Sequence, residues 1–208
     1  MENIMTNDET TEQAVMAETL RRMAILAEHN KPDVAAHVDR VAGYSRIMAQ
    51  ACGLSEDEAR QLADACRLHD IGMIGVPSAI TQKVGQPSHE EWEVIKTHPE
   101  IGARLLANSD LKVFQLGELI SLTHHERWDG SGYPAGLKGD EIPLAGQICA
   151  ISDVFDMLTT ERTYKQKIST KNASILIEDS SGNFFDPDLV DIFLKHFEEI
   201  AAIRTGMS

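Results

Sequence analysis

Helical periodicity is the dominant pattern in this chain of 208 residues: apolar residues recur every three or four positions, and no long segment alternates with a period of two. Apolar residues make up 42% of the chain, enough for a sizeable core, and aromatic residues only 5%, which favours helices over a β-sandwich. We therefore predict a single all-α domain over residues 12–208. Its first helix is predicted over residues 12–30, after a polar and acidic tail at 1–11 that we expect to be disordered.

Local start and stop signals divide the rest of the chain into further helices. Two Ser-x-x-Glu capping boxes predict helix starts at Ser55 and Ser88. Asn30-Lys31-Pro32 breaks the first helix, and a proline suits the first turn of the next one. Segments rich in glycine and proline predict two long loops, at residues 71–87 and 128–143.

The balance of charge restricts the partners of this chain. Its 19 basic and 33 acidic residues give a formal net charge of -14, so electrostatics disfavour DNA, RNA and anionic membranes as partners. An anionic substrate would need local cations, and bound metal ions are the natural source. The chain has neither a long apolar run nor a signal-peptide pattern, and its three cysteines have no paired spacing. We expect a protein of the reducing cytoplasm.

Histidine and aspartate residues fall at particular places on this helical map. His37 lies within the second predicted helix, and Asp153 is a carboxylate in a strongly apolar helix predicted over residues 144–160, where it is costly unless paired or metal-bound. Others lie where predicted helices begin or end: His69, Asp70, His98, His124 and His125. Metal sites in helical bundles are assembled from inward-pointing residues on different helices, and these residue types suit iron, manganese or zinc. The sequence thus predicts a metal site, whereas the three other histidines are expected to be ordinary surface or core groups.

The order of these residues along the chain resembles the HD superfamily of metal-dependent phosphohydrolases. The ligand series of that superfamily matches His37, His69-Asp70 and Asp153. The further histidines, His98 and His124-His125, and the tripeptide Gly132-Tyr133-Pro134 are similar to the HD-GYP subfamily. The resemblance extends over most of the chain, from about residue 20 to about residue 203.

The resemblance implies an all-helical HD-domain bundle with additional C-terminal helices that hydrolyses cyclic di-GMP to pGpG and, in some members, to GMP. It implies two or three divalent metal ions, with iron expected first and manganese as the alternative. The ligands of one metal would be His37, His69, Asp70 and Asp153, and those of the second would be Asp70, His98, His124 and His125. Asp70 would bridge the two metals and position the attacking hydroxide between them.

A third metal and the substrate contacts involve four further residues. Members with three metals use an acidic residue four positions before the first ligand His, here Asp33, which is shorter than their usual Glu, so two and three metals both stay open. Arg162 and Lys165 could clamp phosphate oxygens or form an ordinary solvated basic patch. Tyr133, in the glycine-rich loop, could border the substrate pocket or only pack the loop.

One departure from the family pattern bears on catalysis. The family usually has His-Asp-Ile-Gly-Lys, whereas this chain has Met73 in place of the Lys that is expected to contact the scissile phosphate. Methionine has no charge and donates no hydrogen bond, and losing one such contact can lower the rate about a hundredfold. Two alternatives to a cyclic di-GMP phosphodiesterase therefore stay open. One is a receptor that binds cyclic di-GMP with weak or no turnover, and the other is a hydrolase of another nucleotide or phosphoester.

The start of the chain bears on its partners. About 30 residues precede the predicted ligand-bearing helices, too few for the receiver or sensor domain that usually accompanies this family. We therefore expect a stand-alone or excised domain, or one that works with a separate sensor or GGDEF-type partner. The N-terminal amphipathic helix could dock on the core of its own domain or pair with a second copy in a homodimer.

Overall fold

The structure, a computed structural model, describes residues 7–29, 31, 33–161 and 167–206. Side chains are described from residue 11 onward within these ranges. The α-helices are α1 (Asn7–Ala27), α2 (Val34–Ala51), α3 (Glu56–Cys66), α4 (Ser78–Thr81), α5 (His89–Ile95), α6 (His98–Leu106), α7 (Lys112–Thr123), α8 (Leu144–Thr159), α9 (Thr170–Asp179), α10 (Pro187–Lys195) and α11 (Phe197–Gly206). None of these helices combines the length and the apolar character needed to cross a membrane.

Two short 3-10 helices, Ile71–Gly75 and Gly139–Glu141, interrupt the predicted loops. Within the described ranges, the only β-type pairing is an isolated bridge between Ser181 and Phe185. The prediction of an all-α fold is confirmed.

The first helix starts earlier than predicted. α1 begins at Asn7, so the expectation of a disordered tail up to residue 11 is wrong for residues 7–11. A polar, acidic sequence suits the first turns of a helix, because negative charge is favourable at the positive end of the helix macrodipole. Low apolar content at the start of a helix is therefore a poor indicator of disorder. Residues 1–6 lie outside the described ranges.

Side-chain caps fix the starts of four helices. Ser55 and Ser88 form the predicted capping boxes: each hydroxyl accepts from the amide of the Glu three residues later, and that carboxylate accepts from the amide of the serine. The side chain of Ser169 caps α9 and that of Asp186 caps α10, and both are short polar residues of the kind that is common at this position. The helix starts predicted at Ser55 and Ser88 are confirmed.

The core lies around α8, which is apolar on most of its circumference. Ile148, Ile151 and Phe155 on this helix are fully buried. α8 packs against α2, α7 and α9, and α2 packs in turn against α1, α3 and α11. A helix that is buried on nearly all sides also carries its polar residues into the interior, so Asp153 and Asp156 are buried and need partners there.

The 3-10 helix Ile71–Gly75 lies very close to α6. An added Cβ at Gly72 would lie 1.9 Å from the carbonyl oxygen of His98 and 2.5 Å from the amide nitrogen of Gly102. Only glycine permits this approach of two backbone segments. The contact brings the chain that follows Asp70 against the start of α6, so part of a predicted loop is an ordered turn that positions the candidate site.

Candidate metal centre

Seven of the eight predicted metal ligands come together in two neighbouring clusters. Site A consists of His37, His69 and Asp153, and site B consists of Asp70, His98, His124 and His125. The potential ligand atoms of each cluster all lie within 4.8 Å of one another. Asp70 and His125 are half-buried and the others are buried.

The packing of five helices explains why residues far apart in the sequence meet here. α2 carries His37, α3 leads to His69 and Asp70, α6 begins with His98, α7 leads to His124 and His125, and α8 carries Asp153. α2, α3, α7 and α8 pack against one another, while α6 packs on α7 and on the 3-10 helix Ile71–Gly75. The inward-pointing arrangement that the sequence predicts for a helical bundle is therefore present.

The carboxylate of Asp70 lies between the two sites. Its Oδ1 is 3.1 Å from His98 Nε2 and 3.5 Å from His124 Nε2, both in site B. Its Oδ2 is 3.7 Å from His69 Nε2 in site A. Within site A, Asp153 Oδ1 is 3.5 Å from His37 Nε2 and 3.8 Å from His69 Nε2. Each oxygen of Asp70 thus faces a different site, which is the geometry of a bridging ligand.

Hydrogen bonds at the outer ring nitrogens orient the histidines. Nδ1 of His69, His98 and His124 lies 2.8, 2.8 and 3.0 Å from a backbone carbonyl three or four residues earlier. A carbonyl only accepts, so each Nδ1 donates and leaves Nε2 with its lone pair directed into the cluster. This is how metal-binding histidines are usually held.

The chemistry of the two sites fits divalent metal ions. His69 Nε2 is buried and has no hydrogen-bond partner among the described residues, a costly state for a polar atom unless an ion binds it. Burial lowers the pKa of His124 and of His125, which keeps these rings neutral and able to act as ligands. For His69 and His98, burial is again the largest influence and lowers the pKa, but the opposing groups together outweigh it. These are mainly the carboxylates of Asp70 and Asp153 for His69 and the carboxylate of Asp70 for His98, so both pKa values are raised. Nitrogen and carboxylate donors match iron, manganese and zinc.

Asp33, the eighth predicted ligand, belongs to neither site. It directly precedes α2 and has a left-handed backbone conformation, with φ of 64°. Its carboxylate accepts a hydrogen bond of 3.1 Å from Arg40, and 48% of the side chain is exposed. The structure therefore does not bring Asp33 to the metal centre, because the neighbouring guanidinium holds it elsewhere.

Comparisons with known proteins agree with this geometry. A family model described as an HD domain matches residues 21–189. The chain belongs to the HD domain family. It is 42% identical over 186 residues to a cyclic di-GMP phosphodiesterase of Thermotoga maritima and 38% identical over 190 residues to the 3'3'-cGAMP-specific phosphodiesterase 2 of Vibrio cholerae. These matches cover 89% and 91% of this chain.

This HD domain corresponds to only part of the relatives' own lengths. The chain spans 50% of the length of the Thermotoga relative and 36% of the Vibrio relative. A solved structure of a cyclic GMP-AMP-specific phosphodiesterase from V. cholerae matches with a TM-score of 0.65 and 20% identity, over 93% of this chain and 51% of that one. At that identity the match concerns the fold, and it confirms an HD-type helical bundle.

Asp156 contacts a site A residue of this HD domain and is a residue that the sequence interpretation missed. Its Oδ2 accepts from His37 Nδ1 at 2.8 Å, and its Oδ1 accepts from Arg40 Nε at 2.6 Å and from the Tyr44 hydroxyl at 3.2 Å. Burial alone would raise the pKa of Asp156, but the hydrogen bonds from His37 and Arg40 outweigh it and hold that pKa below its ordinary range. The argument applied to Asp153, that a carboxylate in an apolar helix needs a partner, also applies to this residue three positions later.

The four predicted substrate residues have different outcomes. Met73 is half-buried in the 3-10 helix and donates its amide to the carbonyl of Asp70 at 2.9 Å. Tyr133 stacks on the site B ligand His125, with ring centroids 4.7 Å apart and ring planes at 24°. Burial, followed by the negative charge of the site, raises the pKa of Tyr133, so its phenol stays protonated. Arg162 and Lys165 lie outside the described residues.

A buried carboxylate anchors the loop that carries Tyr133. Glu126 is 4% exposed and accepts hydrogen bonds from the backbone amides of Ala135, Gly136 and Leu137 at 2.8, 3.1 and 3.0 Å. The backbone amide of Tyr133 also donates to the carbonyl of His125 at 3.2 Å. The loop is thus tied to the chain directly after the site B histidines, a role that no motif in the sequence indicates.

Lys31 is the third residue that the sequence interpretation missed. Its ammonium is 2.9 Å from Asp70 Oδ2 and also pairs with the carboxylate of Glu28. Burial alone would lower the pKa of Lys31, but Asp70 and Glu28 outweigh it and raise the pKa, so the ammonium stays charged. The sequence marks this lysine only as part of a helix break, because its partner Asp70 is distant along the chain.

Proposed function

We propose that this chain is a metal-dependent phosphodiesterase that hydrolyses a cyclic dinucleotide, with cyclic di-GMP as substrate and pGpG as product. The observation that carries this proposal is the pair of His and Asp clusters that share the carboxylate of Asp70. Two relatives with about 40% identity, described as phosphodiesterases for cyclic di-GMP and for 3'3'-cGAMP, support the choice of substrate class.

The proposed centre holds two divalent ions, one in each site, with iron expected first and manganese as the alternative. Such ions lower the pKa of water and polarise a phosphodiester, which supplies both the nucleophile and the charge stabilisation. Asp70 sets the spacing of the two sites, since its two oxygens face different clusters. A third ion bound through Asp33 has no support in the geometry, because Arg40 holds that carboxylate.

The reaction consumes one water molecule for each ring that is opened. The product pGpG has a 5'-phosphate, so the oxygen of water joins phosphorus while the bond from phosphorus to the 3'-oxygen breaks. The 3'-oxygen then takes up a proton. Tyr133 remains protonated and lies on the ring of His125, where it can border the bound dinucleotide. Contacts of Arg162 and Lys165 with the phosphates remain part of the proposal, as does hydrolysis of pGpG to GMP.

Met73 favours a second candidate, a receptor that binds cyclic di-GMP without rapid turnover, because this side chain has no charge to place on a phosphate. A hydrolase of another nucleotide or phosphoester, such as 3'3'-cGAMP, is the third candidate, suggested by the name of the Vibrio relative. A cytoplasmic location, a separate sensor or GGDEF-type partner and a homodimer through α1 remain proposals of the same kind.

The test uses protein reconstituted without oxygen with iron or with manganese. Cyclic di-GMP, 3'3'-cGAMP and pGpG are incubated separately, and products are followed by chromatography together with elemental analysis of the protein. We expect pGpG from cyclic di-GMP in the presence of metal and none after chelation or in Asp70→Ala. Lys83→Met, on an exposed pair with Glu91, is the matched control and should retain activity. Tight binding of cyclic di-GMP with no product over hours would instead establish the receptor.

A further inference from the structure

The region of the metal centre contains a positive side chain that no metal-binding motif includes. Lys31 follows α1 and reaches Asp70 Oδ2 at 2.9 Å. Among the ion pairs of the described residues, this is the only one that joins a Lys or Arg to a member of site A or site B. The ammonium therefore lies beside the carboxylate that is shared by the two sites.

The position of Lys31 matters because Met73 is uncharged. Met73 lies in the turn directly after Asp70, at the position where the family that the chain resembles usually has a lysine expected to contact the scissile phosphate. Lys31 brings an ammonium to the same carboxylate from another part of the chain, since α1 packs against that turn. We propose that Lys31 contacts the scissile phosphate in place of a lysine at position 73. This inference rests on the proposed function.

Two features of Lys31 fit contact with a substrate. Its side chain is 36% exposed, whereas the side chain of its partner Glu28 is 1% exposed, so the ammonium lies between the interior and the open side of the centre. An ammonium has three N–H groups, and Glu28 and Asp70 take two of them. Among the described residues, no further acceptor pairs with Lys31, so the third can donate to a phosphate oxygen. In a chain of net charge -14, a local cation also offsets repulsion of an anionic substrate.

The test compares Lys31→Met with a variant that avoids leaving a buried charge without a partner. Removal of Lys31 alone leaves the carboxylate of Glu28 unpaired, which can destabilise the fold. The double variant Glu28→Gln/Lys31→Met, measured against Glu28→Gln, removes both charges. Lys83→Met is the matched control, because Lys83 is 40% exposed and also pairs with a carboxylate. Metal content comes first: we expect the variants to bind as many metal equivalents as wild type. Loss of metal would overturn the proposal, since Lys31 would then act on the centre itself.

Ligand affinity provides the decisive measurement and does not require turnover. The 5'-phosphate of pGpG is the former scissile phosphate, and GpG lacks it. We expect removal of Lys31 to weaken pGpG binding in calorimetry about tenfold and to leave GpG binding unchanged. Equal effects on both ligands, or on neither, would overturn the proposal. If the wild-type protein binds pGpG but cleaves no dinucleotide, only the proposed function is contradicted. The comparison of pGpG with GpG still tests the role of Lys31 in that case.

Rescue tests whether positions 31 and 73 serve the same phosphate. In an active enzyme, we expect Lys31→Met to lower kcat about a hundredfold, the usual effect of losing one contact to a developing charge. Adding Met73→Lys to this variant should recover at least tenfold. If Lys31→Met/Met73→Lys has the same kcat and pGpG affinity as Lys31→Met, then a lysine at position 73 does not replace Lys31, and the proposal that both positions serve the same phosphate is overturned.

Discussion

His37 Nδ1 lies 2.8 Å from Asp156 Oδ2, and this hydrogen bond connects site A to the buried centre of the domain. It fixes the imidazole ring so that Nε2 faces Asp153. Outer carboxylates of this kind typically raise metal affinity 10- to 100-fold. We therefore expect Asp156→Asn to weaken metal binding by about that factor, measured by competition with a chromogenic chelator.

The control for this prediction is Asp191→Asn, which changes an exposed carboxylate on α10 in the same chemical way. It should leave metal affinity unchanged. Asp156→Asn also disturbs the buried pair with Arg40 and should lower the free energy of unfolding. Because affinity is measured on folded protein, normal metal affinity in a destabilised Asp156→Asn would show that Asp156 stabilises the fold without orienting His37.

Acid should destabilise the metal-free protein partly through Asp156. Its pKa lies below the ordinary range in the folded state: burial opposes ionisation, and the hydrogen bonds from His37 and Arg40 outweigh burial. The unfolded chain therefore binds the proton more readily, so this carboxylate contributes stability above the unfolded pKa of about 4. That contribution is lost as pH falls through the folded value. Urea unfolding between pH 6 and pH 3 should show that the free energy of unfolding falls more steeply with pH in wild type than in Asp156→Asn. Equal slopes for the two proteins would contradict this prediction.

Removal of metal should lower the melting temperature. A ligand that binds only the folded state at a free concentration 100 times its Kd adds about 2.7 kcal/mol of stability. In a domain of this size, 1 kcal/mol corresponds to about 2–4 °C, so each occupied site should add about 5–10 °C. Calorimetry with and without chelator measures the shift. Asp70→Ala should lose most of it, because both sites use this carboxylate.

Asp33 provides a test of the metal count. Its carboxylate binds Arg40 and lies in neither cluster, so we expect Asp33→Ala to bind two metal equivalents, as wild type does. Elemental analysis after anaerobic reconstitution measures this, and His98→Ala is the comparison that should lose metal from site B. If wild type binds three equivalents and Asp33→Ala binds two, then Asp33 breaks its pair with Arg40 and itself binds a third ion.

The sequence predicted the helical fold from signals that are local or repeated along the chain, and the seven clustered ligands from their places on the helical map together with the resemblance to the HD-GYP subfamily. Ser55 and Ser88 act through residues three positions away, and a histidine at the end of a helix is visible as such. Asp33 was assigned through the resemblance, and the structure brings it to neither cluster. Its left-handed backbone conformation and its pairing with Arg40 depend on the folded surroundings.

Lys31 and Glu126 could not be identified in the sequence for a related reason. Lys31 matters because it meets Asp70, which lies 39 positions away. Glu126 matters because one carboxylate accepts from three successive backbone amides, and that depends on the path of the loop. Asp156 is different: its burial in an apolar helix is visible in the sequence, and the cost of burying a carboxylate was sufficient to predict a partner.

The anchoring of the loop by Glu126 leads to the last prediction. In Glu126→Gln, a terminal amide with only one accepting oxygen replaces a carboxylate with two, so amides of Ala135, Gly136 or Leu137 lose their acceptor. Each lost acceptor costs about 1–3 kcal/mol when the donor stays buried. We expect faster hydrogen exchange at these amides and a higher KM, because the loop also carries Tyr133 on its stack with His125. Glu141→Gln, an exposed carboxylate in the next turn, is the control. Unchanged exchange at residues 135–137 would mean that the loop is held by its other contacts, and KM should then stay at the wild-type value.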